Sequence, residues 1–121
     1  MTGCKVVALL RKRADLSREH FIDYYERNHA PLILSHFPQI ASYSRNFADF
    51  AGAFVMPTAA PFDFDCVTEI GFADQAAYDA FLARYAVPEV EEAIRLDEEN
   101  FLDRGGTRMF LVEERQSPLS A

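Results

Sequence analysis

The chain has 121 residues, half of them hydrophobic and 13% aromatic, a composition that can build a core and excludes a disordered polypeptide. Nineteen acidic against 12 basic residues give a net charge of −7, so a nucleic-acid partner is not expected. The longest apolar run, Val6 to Leu10, is far shorter than the roughly 20 residues that cross a bilayer, and the N-terminus lacks a signal-peptide pattern. We therefore expect one cytoplasmic domain over residues 1–121, with its core over 5–114 and no membrane partner.

The chain begins with a predicted strand and helix. The apolar run predicts a strand over residues 5–11, because it is rich in strand formers and has a charge at each end. Asp15 or Ser17 can cap the helix that follows. The apolar face of this helix is predicted from helical spacing to hold Phe21, Tyr24, Tyr25 and Asn28.

A proline interrupts this helical pattern. Pro31 is expected to end the helix and to bias Ala30 toward extended geometry, with a further short helical turn over residues 32–34. Residues 40–47 predict the second strand. Residues 48–63 contain glycine, prolines and many small residues, which indicates a long and mobile connection.

The second half of the chain repeats the order of strand and helix. Residues 64–72 alternate as a third strand, and Asp74 can cap a helix that runs to about Tyr85. Pro88 can begin another helix, which Gly105 and Gly106 close. The spacing predicts that this helix buries Val87, Val90, Ile94 and Phe101 and exposes Glu91, Glu92 and Glu98.

A last strand over residues 107–114 and a frayed tail over 115–121 complete the order β-α-β-β-α-β. Right-handed crossovers then place the first and third strands at the centre of a four-stranded antiparallel sheet, with the helices on one face, an α+β fold. The runs Val6–Leu10 and Met109–Val112 are apolar on both strand faces. Because a sheet covered on one side should alternate, this pattern predicts a homodimer through the sheet face.

Four segments carry a resemblance to a known family, and they span roughly residues 5–114. The most specific is the turn Asn28-His29-Ala30-Pro31, at the end of the segment Phe21–Leu32. The others are Tyr43-Ser44-Arg45-Asn46, the strand Phe64–Phe72 and the segment Asp97–Asp103. In these segments the sequence resembles the EthD-domain proteins.

The resemblance implies a dimeric α/β barrel, in which two ferredoxin-like subunits join sheet to sheet with their helices outside. It also implies a small cyclic or aromatic ligand in a pocket between sheet and helices. Relatives with this barrel include polyketide cyclases, lactone isomerases, dehydratases and cofactor-independent monooxygenases, whereas EthD itself is associated with an ether-degrading cytochrome P450 system. Fold alone does not select among these chemistries.

His29 is the first candidate for catalysis, because it lies in the segment that resembles the family. A histidine at the end of a helix can act as a general acid or a proton shuttle. It can equally cap the helix by bonding its last carbonyl groups. His20 is nine residues earlier and is expected on the opposite, solvated side.

Two further side chains are candidates for catalysis beside His29. Glu69 can act alone as an acid or base, and the Tyr43 hydroxyl can donate a hydrogen bond to a substrate carbonyl or enolate. Each has a structural alternative, since Glu69 can form a salt bridge and a strand tyrosine commonly packs in the core. Asp65 shares a strand face with Glu69, and a salt bridge to Arg45 or Arg108 is its structural alternative.

A second set of side chains is expected to bind the substrate, although packing or surface positions are the alternatives for each. These are Tyr25, Phe37, His36, Asn46 and Asp65. No histidine pair has the spacing of a helical metal site, and Cys4 and Cys66 have neither metal nor redox spacing, so no metal is expected.

The sequence has no phosphate-binding glycine loop, no nucleophile elbow and no dinucleotide fingerprint. The first hypothesis is therefore an enzyme without a cofactor that isomerises, cyclises, dehydrates or decarboxylates a small cyclic or aromatic metabolite. The rivals are a non-catalytic accessory or ligand-binding protein of a degradation pathway, and a cofactor-independent monooxygenase.

Overall fold

A computed structural model describes residues 3–120; Met1, Thr2 and Ala121, the last residue of the expected tail, lie outside the described residues. No helix in residues 3–120 has the length and apolar character needed to cross a membrane. The strands are β1 (Cys4–Leu10), β2 (Ile40–Phe47), β3 (Cys66–Phe72) and β4 (Arg108–Val112). The α-helices are α1 (Arg18–Tyr24), α2 (Ala30–His36), α3 (Gln75–Tyr85) and α4 (Pro88–Glu98). A π-helical turn (Tyr25–His29) joins α1 to α2, and a 3₁₀ turn (Arg104–Gly106) precedes β4.

The four strands form one antiparallel sheet in the order β2-β3-β1-β4, which confirms the predicted α+β fold with its first and third strands at the centre. In the register, Val6 lies between Ile70 of β3 and Leu111 of β4. Because side chains alternate along a strand, the even-numbered residues of β1 and β3 face the helices, and all of them are buried except Cys4, which is half-buried. The odd-numbered residues form the outer face of the sheet.

Local capping chemistry explains where three of the helices begin. The Ser17 hydroxyl accepts the N–H of His20 at the start of α1, at 3.1 Å, so Ser17 and not Asp15 is the cap. Asp74 accepts the N–H of Ala77 at 2.8 Å and begins α3. Pro88, which has no N–H to leave unpaired, is the first residue of α4. These starts are as the sequence predicts.

The prediction that Pro31 ends the first helix is wrong. Ala30 has helical angles (φ −61°, ψ −46°), and the chain continues into α2 with Pro31 in its first turn. The Ala30 N–H bonds the Tyr25 carbonyl, one residue further back than in an α-helix. This wider π-helical turn accommodates the proline, which has no N–H and whose ring clashes with the preceding turn of a regular helix.

The same turn corrects the predicted buried face. Asn28 is exposed, whereas His29 is 4% exposed. The buried positions Phe21, Tyr25 and His29 are four residues apart, a spacing that drifts by about 40° per step in a regular helix of 3.6 residues per turn. The wider turn reduces this drift, and His29 therefore faces the sheet.

The end of α4 also differs from the predicted pattern. Val90 and Ile94 are buried and Glu91 and Glu92 are exposed, as expected. Glu98 was expected outside, but only 13% of its side chain is exposed. The backbone N–H groups of residues 101 and 102 bond its carbonyl, so the chain turns back at this point and covers the side chain.

The interior consists of two apolar clusters between the sheet and the helices. One cluster contains Val6, Ile33, Phe37, Ile70, Phe72, Phe81, Val90 and Ile94. The other contains Ala8, Leu10, Phe21, Tyr25, Ala30, Cys66, Phe101 and Leu102. His29 and Thr68 are buried polar side chains of this interior.

The Phe101 side chain, which follows α4, packs against aromatic rings of α1 and the π-helical turn. It is fully buried, and its ring lies 4.9 to 5.7 Å from the rings of Phe21, Tyr24, Tyr25 and His29. We expect Phe101→Ala to lower the free energy of unfolding by about 3–5 kcal/mol, because it leaves a cavity among these rings. Leu96→Ala, at a position 52% exposed, should cost far less in the same urea titration. Equal losses for the two variants would contradict this assignment of the core.

Candidate functional site

A cavity of about 200 Å³ lies between the sheet and the helices, where the two apolar clusters meet. This volume is below the roughly 300–1,000 Å³ of pockets for drug-sized ligands, so the cavity fits a small ring compound. Its walls are mainly apolar and aromatic, and its rim includes the exposed Thr107 and Met109. The polar side chains that line it are Tyr25, His29, Tyr43, Thr68, Tyr85, Glu98 and Thr107.

His29 forms a pair with Asp97 at one wall of this cavity. The Nδ1 atom of the histidine lies 2.7 Å from Oδ2 of Asp97, which is in the last turn of α4. The Tyr24 hydroxyl donates to Oδ1 of the same carboxyl group at 2.7 Å, and Asn100 donates to the Tyr24 oxygen. Partial burial opposes ionisation of Asp97, but the hydrogen bonds from His29 and Tyr24 outweigh it and lower the pKa of this carboxyl.

This pair decides which tautomer the imidazole adopts. An ionised carboxylate only accepts hydrogen bonds, so the short contact requires a proton on Nδ1 of His29. In the neutral ring the Nε2 atom then carries the lone pair. Within residues 3–120 no group bonds Nε2, so this nitrogen is available to a ligand.

The alternative in which His29 caps a helix is not what the structure shows. The hydrogen bond of its ring goes to a side chain of α4, and no helix carbonyl in the described part of the chain accepts from it. Because the helical path continues through His29 into α2, there are no terminal carbonyl groups at this point to be capped.

A chain of hydroxyl groups crosses the cavity wall next to His29. The Tyr43 hydroxyl donates to the Tyr25 oxygen at 3.1 Å, and the Tyr25 and Thr68 hydroxyls are 2.7 Å apart. Burial raises the pKa of Tyr43 to about 12 and raises that of Tyr25 well above its ordinary value. Both phenols are therefore protonated at neutral pH, which is the form that can donate to a ligand oxygen.

The structure brings only some of the predicted residues together. Tyr43, predicted as catalytic, and Tyr25 and Phe37, predicted as substrate-binding, line the same cavity as His29. His36 is not in the lining, and its nearest aromatic contact is Phe37, 6.3 Å away between ring centres.

The three other predicted residues lie elsewhere. Glu69 and Asn46 are on the outer face of the sheet, where the Asn46 amide donates to Glu69 at 3.2 Å and Lys5 approaches Glu69 at 3.3 Å. Glu69 is thus on the opposite side of the sheet from His29, and its structural alternative, a salt bridge, is the one observed. Asp65 accepts the backbone N–H of Lys12 at 2.9 Å.

The salt bridges considered for Asp65 are formed by other carboxylates. Arg108 pairs with Asp63 at 3.0 Å, and Arg45 pairs with Glu26 through two hydrogen bonds of 2.7 and 2.8 Å. Asp65 comes just before β3 and lines a small pocket with Arg18, Phe21 and Phe47 instead.

Sequence reasoning did not single out Asp97, Glu98 and Thr68 as site residues. The sequence did indicate that Asp97 and Glu98 face the interior, since they lie three and four residues after the buried Ile94 and so share its face of α4. A carboxylate on the buried face of an amphipathic helix requires a hydrogen-bonding partner, and His29 was the buried candidate. Thr68 had a weaker signal, as a polar residue in the apolar alternation of β3.

A larger groove of about 920 Å³ is open to solvent at one end of β1 and β4, beside Lys5, Ser42 and residues 113–115. It contains neither the histidine pair nor the chain of hydroxyl groups. Size alone favours this groove, but the smaller cavity is where buried groups capable of proton transfer converge. We therefore regard the smaller cavity, called the His29 cavity below, as the candidate site.

The EthD domain family model matches residues 13–105, and the chain belongs to this family. The matched segment contains His29, Asp97 and every other polar residue of the cavity lining except Thr107. No curated protein matches the sequence.

Solved structures agree with this family at the level of the fold. An EthD family protein from Bacillus halodurans matches at 18% identity with a TM-score of 0.62, over 94% of this chain and all of that one. A cofactor-independent oxygenase from Streptomyces nogalater, SnoaB, matches at 14% identity with a TM-score of 0.57, over 97% of each chain. A DABB family protein with a ferredoxin-like fold from Mesorhizobium loti matches at 15% identity with a TM-score of 0.52, over 99% of this chain and all of that one. The chain therefore has the ferredoxin-like fold of these proteins.

The tautomer of His29 tests the geometry of the pair. In the wild type, ¹⁵N NMR at a pH where the ring is neutral should show the proton on Nδ1, because Asp97 accepts it. In Asp97→Asn the amide can donate to Nδ1 instead, and the proton should move to Nε2. Asp23→Asn, on the exposed side of α1, serves as the control and should leave the spectrum of His29 unchanged. An Nε2-protonated ring in the wild type would contradict the pair.

Proposed function

We propose that this chain is an enzyme that moves a proton on a small cyclic or aromatic compound bound in the His29 cavity. The observation that carries the proposal is the His29–Asp97 pair, which leaves the Nε2 lone pair available in a cavity with aromatic walls. A buried carboxylate that orients a histidine is an arrangement suited to general acid–base catalysis.

The residues of the cavity suggest how the proton is moved. His29 Nε2 removes a proton from a carbon next to a ring carbonyl, and the imidazolium that forms is stabilised by Asp97 at 2.7 Å. The carbonyl oxygen becomes an enolate and accepts a hydrogen bond from Tyr43, whose single hydroxyl proton, bonded to Tyr25 when the cavity is empty, turns to the ligand. The imidazolium then returns the proton to another carbon, which isomerises the ring, or to a departing hydroxide, which dehydrates it.

The other lining residues fit this kind of substrate. Phe37, Phe81 and Tyr85 supply flat apolar surface around the cavity, and their rings are 4.5 to 6.4 Å apart. When Tyr43 donates to the ligand, Tyr25 can donate in return to the Tyr43 oxygen at 3.1 Å and Thr68 can donate to Tyr25 at 2.7 Å, so the Tyr43 hydroxyl stays held by the chain. A held donor stabilises a developing oxyanion better than a mobile one does.

Hydrogen–deuterium exchange tests the proposal without knowledge of the natural substrate. The protein should accelerate exchange of the ring C–H protons next to the carbonyl of 2-tetralone in D₂O, measured by ¹H NMR. His29→Gln should reduce this protein-dependent rate by about 10²-fold or more, because glutamine cannot accept and return a proton. The control His20→Gln, an exposed histidine of the same helix, should exchange at the wild-type rate.

Two outcomes would contradict the proposed proton transfer. Wild-type protein that binds 2-tetralone in the cavity but leaves its exchange at the buffer rate would favour a non-catalytic ligand-binding or accessory protein. Undiminished exchange in His29→Gln would remove His29 from the chemistry.

A cofactor-independent oxygenase is the second candidate function, since a structural neighbour, SnoaB, is described as one. The same base would then deprotonate a phenol, and a ring carbon of the phenolate, which shares its negative charge, would add O₂. The ring hydroperoxide that forms would lose water and leave a quinone, so that the substrate itself supplies the electrons. Oxygen dependence separates the two candidates: turnover of a hit compound should continue under argon for an isomerase or dehydratase, and should stop for an oxygenase.

We further propose that two copies associate through the outer face of the sheet. The central strands and β4 present Val7, Leu9, Val67, Phe110 and Val112 on this face, and Phe110 is 45% exposed. A second sheet would remove this apolar surface from water, at roughly 25 cal/mol per Å². Membership of the EthD family and the fold shared with a DABB family protein support this arrangement.

Substitution on the outer face tests the dimer. Phe110→Asp should convert a dimer into a monomer at micromolar concentration in analytical ultracentrifugation, because it places a charge on the apolar face. Leu34→Asp introduces the same charge on the helix side, at a position 50% exposed, and should remain dimeric. A monomeric wild type would contradict the proposal.

A further inference from the structure

Acidic side chains outnumber basic ones at the His29 cavity. Among its lining residues Glu98 is the carboxylate, His29 is the titratable base, and neither lysine nor arginine contributes to the wall. Asp97 adds a second carboxylate directly behind His29. With both carboxylates ionised, the three groups together carry a charge of −2 when His29 is neutral and of −1 when its ring is protonated.

Glu98 is a largely buried carboxylate in the lining of the cavity. Its side chain is 13% exposed, and Oε1 accepts a hydrogen bond from Arg104 at 3.1 Å. Arg104 is 42% exposed, so water screens the cation more than the carboxylate. Within residues 3–120 no hydrogen bond is made to Oε2 of Glu98, so this oxygen can accept one from a ligand. Burial raises the pKa of Glu98, which agrees with a carboxyl group facing an apolar space.

A further cation near the cavity, Arg45, is already paired. Arg45 lies over the ring of Tyr43, with its guanidinium carbon 4.8 Å from the ring centre. Both oxygens of Glu26 accept hydrogen bonds from this guanidinium, at 2.7 and 2.8 Å. Its charge is thus balanced, and it is separated from the cavity by the tyrosine ring.

We infer that the His29 cavity selects uncharged ring compounds, such as phenols and cyclic ketones, over ring carboxylates, and that Glu98 is the residue that enforces this selection. The inference rests on the proposed function in taking this cavity as the ligand site, but it does not depend on which reaction occurs there. A carboxylate ligand would meet a like charge in a space where water screens poorly, whereas a neutral hydroxyl can donate to Glu98.

A matched pair of probes tests the selection. The probes are 2-naphthol and 2-naphthoate, which have the same ring system and differ in charge at pH 7.5. Isothermal titration calorimetry on the wild-type protein should give a dissociation constant for 2-naphthol lower by about tenfold or more than that for 2-naphthoate. Glu98→Gln should bring the two constants to within about threefold, mainly by tighter binding of 2-naphthoate, because glutamine keeps the shape and removes the charge.

Two further variants test whether the charge of Glu98 causes the difference in affinity. Arg104→Gln removes the cation that partly balances Glu98, so it should widen the difference between the probes. Glu89→Gln removes an exposed carboxylate from the first turn of the same helix, and it should leave the ratio of the two constants at its wild-type value. Opposite shifts from Glu98→Gln and Arg104→Gln cannot arise from general destabilisation of the fold.

The inference is overturned if wild-type protein binds 2-naphthoate as tightly as 2-naphthol, or if Glu98→Gln leaves the ratio unchanged. Either result would leave the proposed proton transfer intact, since that stands on the exchange rates of the His29 variant. Conversely, a buffer-rate exchange of 2-tetralone with clear preference for 2-naphthol would uphold the selection and remove the catalysis.

Discussion

Pro31 imposes the constraint on which the site depends. Because a proline lacks an N–H and clashes with the preceding turn, the helix passes it through a wider turn over Tyr25–His29. This turn keeps residues four apart on one face, and it directs His29 toward the end of α4, where Asp97 is 2.7 Å away. In a regular helix His29 would lie about 40° further around the helix from Tyr25, toward the edge of the buried face.

The buried polar groups lower the stability of the fold, and the packing of the core does not explain why they are there. His29, Asp97, Tyr25 and Thr68 interrupt two apolar clusters, and replacement of such buried pairs by apolar side chains is often neutral or stabilising. Their hydrogen bonds satisfy one another, which limits the cost. They also converge on a cavity, and a cavity itself costs stability. Buried polar groups and a cavity both reduce stability, yet a ligand site needs both, and here they occur at the same place.

Local signals in the sequence predicted most of the elements, whereas the site depended on contacts between distant segments. Strand alternation and the caps Ser17 and Asp74 act within a few residues, so the elements they define are close to the observed ones. The carboxylate partner of His29 is 68 residues away, and spacing alone could not pair them. Glu69 was misplaced for a different reason: the alternation of β3 already puts Cys66, Ile70 and Phe72 on one face and Glu69 on the other, and it is the apolar face that meets the helices.

The central claim is that His29, Asp97 and Tyr43 form one ligand site between the sheet and the helices. A crystal structure of the protein with 2-naphthol tests it most directly. We expect the ring between the aromatic walls of the His29 cavity, with its oxygen within hydrogen-bond distance of Tyr43, Glu98 or His29 Nε2. A ligand bound instead in the open groove at the end of β1 and β4, with the His29 cavity unchanged, would contradict the claim.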